Sequence, residues 1–198
     1  MQAQSQKRLL VLGSSSPYRK LLLERLGLPF EVCPPAIDES PAAGESAPQL
    51  AARLADEKAQ AIADRFPAAV VIGCDQVAVH RGRLLGKPGT AARARQQLAS
   101  FSGEQVDFLS AIAVRCRESG FHFATTVVTE VCFRTLTEQE IRRYVERDNP
   151  VDCAGGFKSE ETGTALLRAM RSDDPTAIIG LPLISLAEAL REAGYVLP

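Results

Sequence analysis

Histidine is scarce in this sequence, and its scarcity excludes several kinds of active site. Among 198 residues only His80 and His122 occur. Both lie in strand-like stretches, so we expect each to have a structural or surface role. A Ser-His-Asp triad, a Cys-His pair and a histidine-rich zinc site are therefore disfavoured. We expect any active site to use carboxylates, lysine, arginine and a metal ion.

Long apolar runs, an excess of one charge and paired cysteines are also absent. No run of about 18 apolar residues occurs and the first eight residues are polar, so we predict a cytoplasmic protein without a membrane partner. The net charge of −1 disfavours a nucleic-acid partner and favours a small one. The five cysteines include no C-x-x-C pair, which predicts reduced core thiols.

Two common nucleotide-binding motifs are missing as well. No G-x-G-x-x-G follows a strand-like run. The stretch from Gly82 to Lys87 is one residue too short for a P-loop, and Pro88 replaces the required Ser or Thr.

The chain is long enough to bury a hydrophobic core, with 45% hydrophobic residues, and no change of composition along it marks a domain boundary. We predict a single domain over residues 1–198.

The first strand and helix are joined by a turn that suits an anion. The apolar run 9–12 predicts a buried strand, and the leucines at 21, 22, 23 and 26 predict the apolar face of a helix. Ser16 is suited to cap this helix and Pro17 to begin it. Free backbone N–H groups would then point out of the turn, close to Ser14 and Arg19.

The next segments bring further charges toward the same region. A capping box, Ser46 with Gln49, predicts a helix to about residue 65 that carries Lys58 on its buried face. The interior strand 69–73 is followed directly by Asp75 and Gln76, and a separate strand is predicted over 77–80. Carboxyl ends of strands are where α/β sheets place chemistry.

The second half of the chain predicts an antiparallel hairpin, two helices and a short strand. The hairpin runs over 105–115 and 121–133, and one helix follows a capping box of Thr137 with Glu140. A strand is expected at 165–167, and the last helix begins at Pro182. Strands and helices mixed in this order indicate the α/β class.

A dispersed set of charges suits the cleavage of a nucleoside triphosphate between its α and β phosphorus atoms. That reaction needs cations for the phosphates, a divalent metal and a carboxylate to orient water. Arg19, Lys58 and Lys87 supply cations. Glu39 and Asp75 are candidate ligands for Mg²⁺ or Mn²⁺, and Asp75 is also the candidate proton acceptor.

Seven short motifs in a fixed order carry a resemblance to a known family. They are Ser14-x-Ser16-Pro17-x-Arg19-x-x-Leu22-Leu23, Asp38-Glu39, Glu57-Lys58-Ala59, Gly73-x-Asp75-Gln76, Gly86-Lys87-Pro88, Ser102-Gly103 and Gly180-Leu181-Pro182. The sequence resembles the Maf-like nucleoside triphosphate pyrophosphatases. The resemblance implies a fold similar to the inosine triphosphate pyrophosphatases, with two lobes around a long twisted mixed sheet and a central cleft. It also implies a homodimer, substrate contacts from Ser14 and Ser16, and Asp75 as proton acceptor.

Within that family the sequence resembles the branch that hydrolyses 7-methyl-GTP. Tyr18, Gln76 and Glu160 are the discriminating residues, since the dTTP/UTP branch usually has Thr and Gln at the last two positions. N7-methylation gives the purine ring a positive charge. An aromatic face and a carboxylate favour such a ring over neutral guanine.

Three alternatives remain open at this point. The enzyme could act more broadly on dTTP, UTP or noncanonical triphosphates. Because the family is associated with inhibition of septum formation, the protein could instead be a non-enzymatic binding partner in cell division. Finally, Asp38 rather than Glu39 could face the site, since a shift of one residue decides which carboxylate does so.

Overall fold

One mixed sheet of seven strands organises the protein. The computed structural model describes residues 8–198, and the strand order is β2-β1-β3-β5-β6-β7, with β4 pairing on β3. The strands are β1 (Leu10–Gly13), β2 (Glu31–Val32), β3 (Val70–His80), β4 (Arg83–Leu85), β5 (Gln105–Cys116), β6 (Phe121–Phe133) and β7 (Leu167–Ser172). The α-helices are α1 (Pro17–Glu24), α2 (Ala47–Ala63), α3 (Ala91–Ser100), α4 (Glu138–Asp148) and α5 (Leu183–Glu192).

Parallel and antiparallel pairs both occur in this sheet. Strand β1 runs parallel to β2 and β3, whereas β5 is antiparallel to β3 and β6. The predicted hairpin of β5 and β6 is confirmed. So is the predicted α/β class, with helices on a mixed sheet.

Side-chain alternation along β3 divides the core between the two faces of the sheet. Val70 and Ile72 pack in the cluster that includes residues of α1 and α5, whereas Val71 packs with α2. Farther along the sheet, Ala78 and Phe108 pack in a third cluster with α3 and α4. The two ends of the sheet thus form the two lobes predicted by the resemblance, with a cleft where they meet.

A gap in one edge of β3 positions the cleft. Strand β1 pairs with β3 only as far as Gly13 opposite Gly73, and the pairing of β3 with β4 starts only at Ala78 opposite Leu85. The segment 74–77 between these pairings is bonded to β5 alone. Side chains from both faces of this segment can therefore reach the same opening.

Helix α2 crosses β3 at very short range, and Gly73 makes that possible. A Cβ atom built on Gly73 would lie 2.1 Å from the carbonyl oxygen of Ala55. Only a residue without a side chain fits here. The close approach brings Lys58, one turn after Ala55, over the gap in the sheet.

Three local predictions are wrong. Asp75 does not follow a strand end, because β5 pairs with β3 without interruption from Val71 to Val79 and β3 continues past it. Leu21 is 60% exposed, since α1 buries only its two neighbouring leucines. The strand expected at 165–167 begins only at Leu167, because residues 162–166 form a 3-10 helix.

The prediction for histidine is consistent with the structure, whereas the prediction of core thiols is wrong for two of the five cysteines. His80 is buried against Glu104 and His122 contacts Asp56, so both have structural or surface positions. All five cysteines are free thiols; three are buried and two, Cys33 and Cys153, are partly exposed. None of the helices in residues 8–198 combines the length and apolar character needed to cross a bilayer.

Candidate functional site

A cavity of about 580 Å³ opens at the gap in the sheet edge. Its walls come from the β1–α1 turn, α2, β3, the segment after β4 and the loop after α4. All ten predicted site residues line it: Ser14, Ser16, Tyr18, Arg19, Glu39, Lys58, Asp75, Gln76, Lys87 and Glu160. The tertiary structure therefore brings together residues that are far apart in the sequence.

Lys58 forms the charged centre of the cavity. Its Nζ lies 2.6 Å from Asp75 Oδ1 and 2.7 Å from Glu39 Oε1. The side chains of Lys58 and Asp75 are 7% and 10% exposed, so their charges lie in an environment that screens them little. The lysine on the buried face of α2 thus has the partner that its burial requires.

The choice between Asp38 and Glu39 is decided by geometry. The Asp38 carboxylate accepts a hydrogen bond from the Ser40 N–H and points to solvent, whereas Glu39 contacts Lys58. Burial raises the pKa of Glu39, but the hydrogen bond and charge of Lys58 outweigh this and lower the pKa overall. The charges of Lys87 and Arg19 lower it further. Both cations therefore act on the same carboxylate.

Lys87 is exposed at the rim of the cavity, in the segment between β4 and α3. No ion pair within 4.0 Å is found for it among the residues of the described chain, 8–198. Its ammonium group is therefore accessible to an anionic ligand.

The turn before α1 forms as predicted, and it also holds Arg19. Ser16 caps the helix by accepting from the Arg19 N–H at 3.4 Å, and Ser14 Oγ accepts from the Ser16 N–H at 3.2 Å. Arg19 Nη1 donates to the Cys74 carbonyl oxygen at 3.0 Å, and Nε donates to that of Gly180 at 3.0 Å. Two of the three guanidinium nitrogens are thus bonded to the main chain.

Gln76 lies on the opposite face of β3 from Asp75, because successive side chains alternate. Its Nε2 donates to Ser110 Oγ at 2.9 Å and to the carbonyl oxygens of Ala177 at 3.1 Å and Ile178 at 2.9 Å. These acceptors determine which end of the amide is nitrogen. Oε1 has no protein partner within residues 8–198 and can accept from a ligand.

Two of the residues predicted to select the base, Tyr18 and Glu160, lie near Lys158. Lys158 Nζ lies 5.6 Å from the centre of the Tyr18 ring and donates to the Asp148 carbonyl oxygen at 3.0 Å. A cationic base would therefore share the Tyr18 ring with Lys158. Glu160 lies at the rim, where loss of water raises its pKa. Its carboxylate forms no ion pair with Lys158 within 4.0 Å.

Several groups at the site were not identified from the sequence. The main-chain carbonyls of Cys74, Ala177, Ile178 and Gly180 hold Arg19 and Gln76, and a backbone carbonyl leaves no mark in a sequence. Ser110 is fully buried and directly opposite Gln76 in the β3–β5 pairing. A polar residue inside the otherwise apolar run 108–114 was the available signal for Ser110.

Comparison with known proteins gives the family. The model of the family described as "Maf-like protein" matches residues 9–193, nearly the whole chain. The chain belongs to the Maf family. A Maf relative from Polaromonas sp. (strain JS666 / ATCC BAA-500), named 7-methyl-GTP pyrophosphatase, is 52% identical over 190 residues, covering 96% of this chain and 87% of the relative. A Pseudomonas aeruginosa protein of the same name is 51% identical over 189 residues, covering 96% of this chain and 98% of that protein.

A solved structure supports the Maf fold independently. The HAM1 protein from Coxiella burnetii superposes with a TM-score of 0.53, covering 94% of this chain and all of that one. Sequence identity is 18%, so this similarity concerns the fold alone.

Proposed function

We propose that this Maf protein is a nucleoside triphosphate pyrophosphatase that hydrolyses 7-methyl-GTP to 7-methyl-GMP and pyrophosphate. The observation that carries the proposal is the buried Lys58–Asp75 pair beside Glu39, in a cavity also lined by Arg19 and Lys87. Such a set provides cations for a triphosphate and a carboxylate for water. Relatives at about half identity carry the name 7-methyl-GTP pyrophosphatase.

In this mechanism the cations of the cavity hold the triphosphate and Asp75 accepts a proton. A water molecule attacks the α phosphorus, the bond from that phosphorus to the bridging oxygen breaks, and pyrophosphate leaves. The water proton passes to Asp75. Lys58 orients the Asp75 carboxylate at 2.6 Å, while Arg19 and Lys87 stabilise the charge on the phosphates.

The two carboxylates also fit a divalent metal. Glu39 and Asp75 each place a carboxylate oxygen within 2.7 Å of the same atom, Lys58 Nζ, so both carboxylates reach the same part of the cavity. Within residues 8–198 no cluster of three or more His, Cys, Asp and Glu residues forms a complete protein cage. Mg²⁺ commonly binds through one or two carboxylates together with substrate phosphates and water, so Glu39 and Asp75 would be its protein ligands. When bound, the metal would neutralise phosphate charge.

We assign selection of the methylated base to two other residues that line the cavity. Glu160 provides a carboxylate at the rim, and Tyr18 provides an aromatic ring. Both interact favourably with the positive charge of an N7-methylated ring. Gln76 Oε1 adds an acceptor whose orientation is fixed by the protein.

We also propose that the chain acts as one domain, because the cavity takes residues from Gly13 to Gly180. The homodimer, the cytoplasmic location and the absence of nucleic-acid or membrane partners stay predictions.

The proposal is tested with a nucleotide panel and one carboxylate substitution. Purified protein with Mg²⁺ is expected to release pyrophosphate faster from 7-methyl-GTP than from GTP, dTTP or UTP. Asp75→Asn should lower kcat by roughly 10²–10⁴-fold, the usual contribution of a general base. The control is Asp173→Asn, an exposed carboxylate outside the cavity.

Two results would contradict the proposal. Faster cleavage of dTTP or UTP than of 7-methyl-GTP would assign the protein to the other branch. Full activity in Asp75→Asn would remove the proposed proton acceptor. A cell-division effect that survives Asp75→Asn would favour the separate binding role considered above.

A further inference from the structure

The turn between β7 and α5 supports two side chains of the cavity from behind. This turn, residues 173–182, supplies the Gly180 carbonyl oxygen to Arg19 and the Ala177 and Ile178 carbonyl oxygens to Gln76. The bond to Arg19 joins residues that are 161 positions apart in the sequence. The bonds to Gln76 join residues about 100 positions apart. The placement of both ligand-facing groups depends on the position of this main chain.

A buried carboxylate fixes the turn. Asp174 is 1% exposed and does not line the cavity. Its Oδ1 accepts from Thr176 N at 2.8 Å and from Thr176 Oγ1 at 2.6 Å, while Oδ2 accepts from Ile184 N at 2.7 Å. No Lys, Arg or His of residues 8–198 forms an ion pair with it. All of these hydrogen bonds to Asp174 therefore serve the shape of the turn.

Thr176 extends the same network to the start of α5. Its Oγ1 donates to Asp174 and accepts from Leu183 N at 2.8 Å. The carboxylate and the hydroxyl together join the two ends of the turn. Between these ends lie the three carbonyl groups that hold Arg19 and Gln76.

We propose that Asp174 is a positioning residue, which through Thr176 and the main chain of the turn sets the placement of Arg19 and Gln76. The inference rests on the proposed function, in which Arg19 binds phosphate and Gln76 contacts the base. Asp174 thereby controls nucleotide affinity and selection among bases without touching the nucleotide. Because these bonds leave Gln76 Oε1 as the accessible end of the amide, disorder in the turn would also loosen that acceptor.

Affinity and selectivity separate this role from a purely structural one. A variant that only loses stability has fewer active molecules, so its apparent kcat falls equally for every substrate. Its KM and its ratio of kcat/KM values between two nucleotides stay unchanged. A displaced Arg19 raises KM, and a displaced Gln76 lowers the ratio between 7-methyl-GTP and UTP.

The test uses two substitutions with matched controls. Asp174→Asn removes one acceptor oxygen, and Thr176→Val removes the hydroxyl at nearly constant volume. Thr176→Ser retains the hydroxyl, and Asp173→Asn changes the adjacent exposed carboxylate. We expect Asp174→Asn and Thr176→Val to raise KM for 7-methyl-GTP and lower the ratio to UTP by about five- to tenfold, the effect of one hydrogen bond. The two controls should stay within about twofold.

Thr176→Val decides the question if Asp174→Asn does not fold. An unchanged KM and an unchanged ratio, even with a lower melting temperature, would overturn the inference. NMR signals of the Gln76 side-chain amide and the Arg19 Nε–H test positioning without catalysis. We expect these signals to shift in Thr176→Val and not in Thr176→Ser, and equal spectra would overturn the inference. Wild-type protein that releases no pyrophosphate would contradict the proposed function, and the NMR comparison would still judge the positioning role.

Discussion

The coupling between Lys58 and Asp75 can be measured as a free energy. Lys58→Met keeps the apolar stem of the side chain and removes its charge, which leaves the Asp75 carboxylate 10% exposed without the cation at 2.6 Å. Removing one partner of a buried ion pair lowers the free energy of unfolding by about 3–5 kcal/mol. Because Glu39 is 55% exposed, water screens its charge, and we expect its pairing with Lys58 to matter less.

The reverse substitution is expected to cost less. Asp75→Asn leaves Lys58 with Glu39 as its remaining partner, so we expect a loss of about 1–3 kcal/mol, the cost of leaving a buried polar group poorly paired. The double variant buries no unpaired charge. The double variant should lose less free energy of unfolding than the two single variants together, by about 2 kcal/mol or more.

Urea unfolding of all four proteins at pH 7 with EDTA measures this cycle. A folded domain has a stability of about 5–15 kcal/mol, so the single variants should remain measurable. The control is Lys20→Met, since Lys20 and Glu24 are about half exposed and lie 3.9 Å apart. We expect that control to change stability by less than about 0.5 kcal/mol. Additive losses within about 0.5 kcal/mol would refute the buried coupling.

Three further predictions concern packing, pH and phosphate binding. Gly73→Ala should destabilise the protein by about 3 kcal/mol or more in the same urea assay, because its Cβ would meet the Ala55 carbonyl oxygen at 2.1 Å. A loss below about 1 kcal/mol would mean that α2 can move away from β3. Hydrogen bonds from Thr137 lower the pKa of Glu140 to about 2, so its charge stabilises the fold above pH 4.5 and this contribution disappears as the pH falls to about 2. The melting temperature of Glu140→Gln should therefore be lower than that of wild type at pH 7 and equal to it near pH 2. A difference in melting temperature that stays the same at both pH values would contradict this. Lys87→Met should raise KM for 7-methyl-GTP by roughly tenfold, with kcat changed less, and an unchanged KM would exclude Lys87 from substrate binding.

The sequence by itself determined where three of the helices begin. Both capping boxes form, with Gln49 accepting from the Ser46 N–H and Glu140 from the Thr137 N–H at the starts of α2 and α4. Ser16 caps α1 as predicted. Bonds between residues three positions apart depend on nearby side chains, so a short stretch of sequence contains the information needed to predict them.

Only the tertiary structure decided how the site is assembled. The continuation of β3 past Asp75 depends on pairing with β5, and the choice of Glu39 over Asp38 depends on where α2 places Lys58. Arg19 is held by a carbonyl 161 residues away, at Gly180. Contacts over such separations arise from the packing of whole elements, and main-chain acceptors have no residue type that a sequence could reveal.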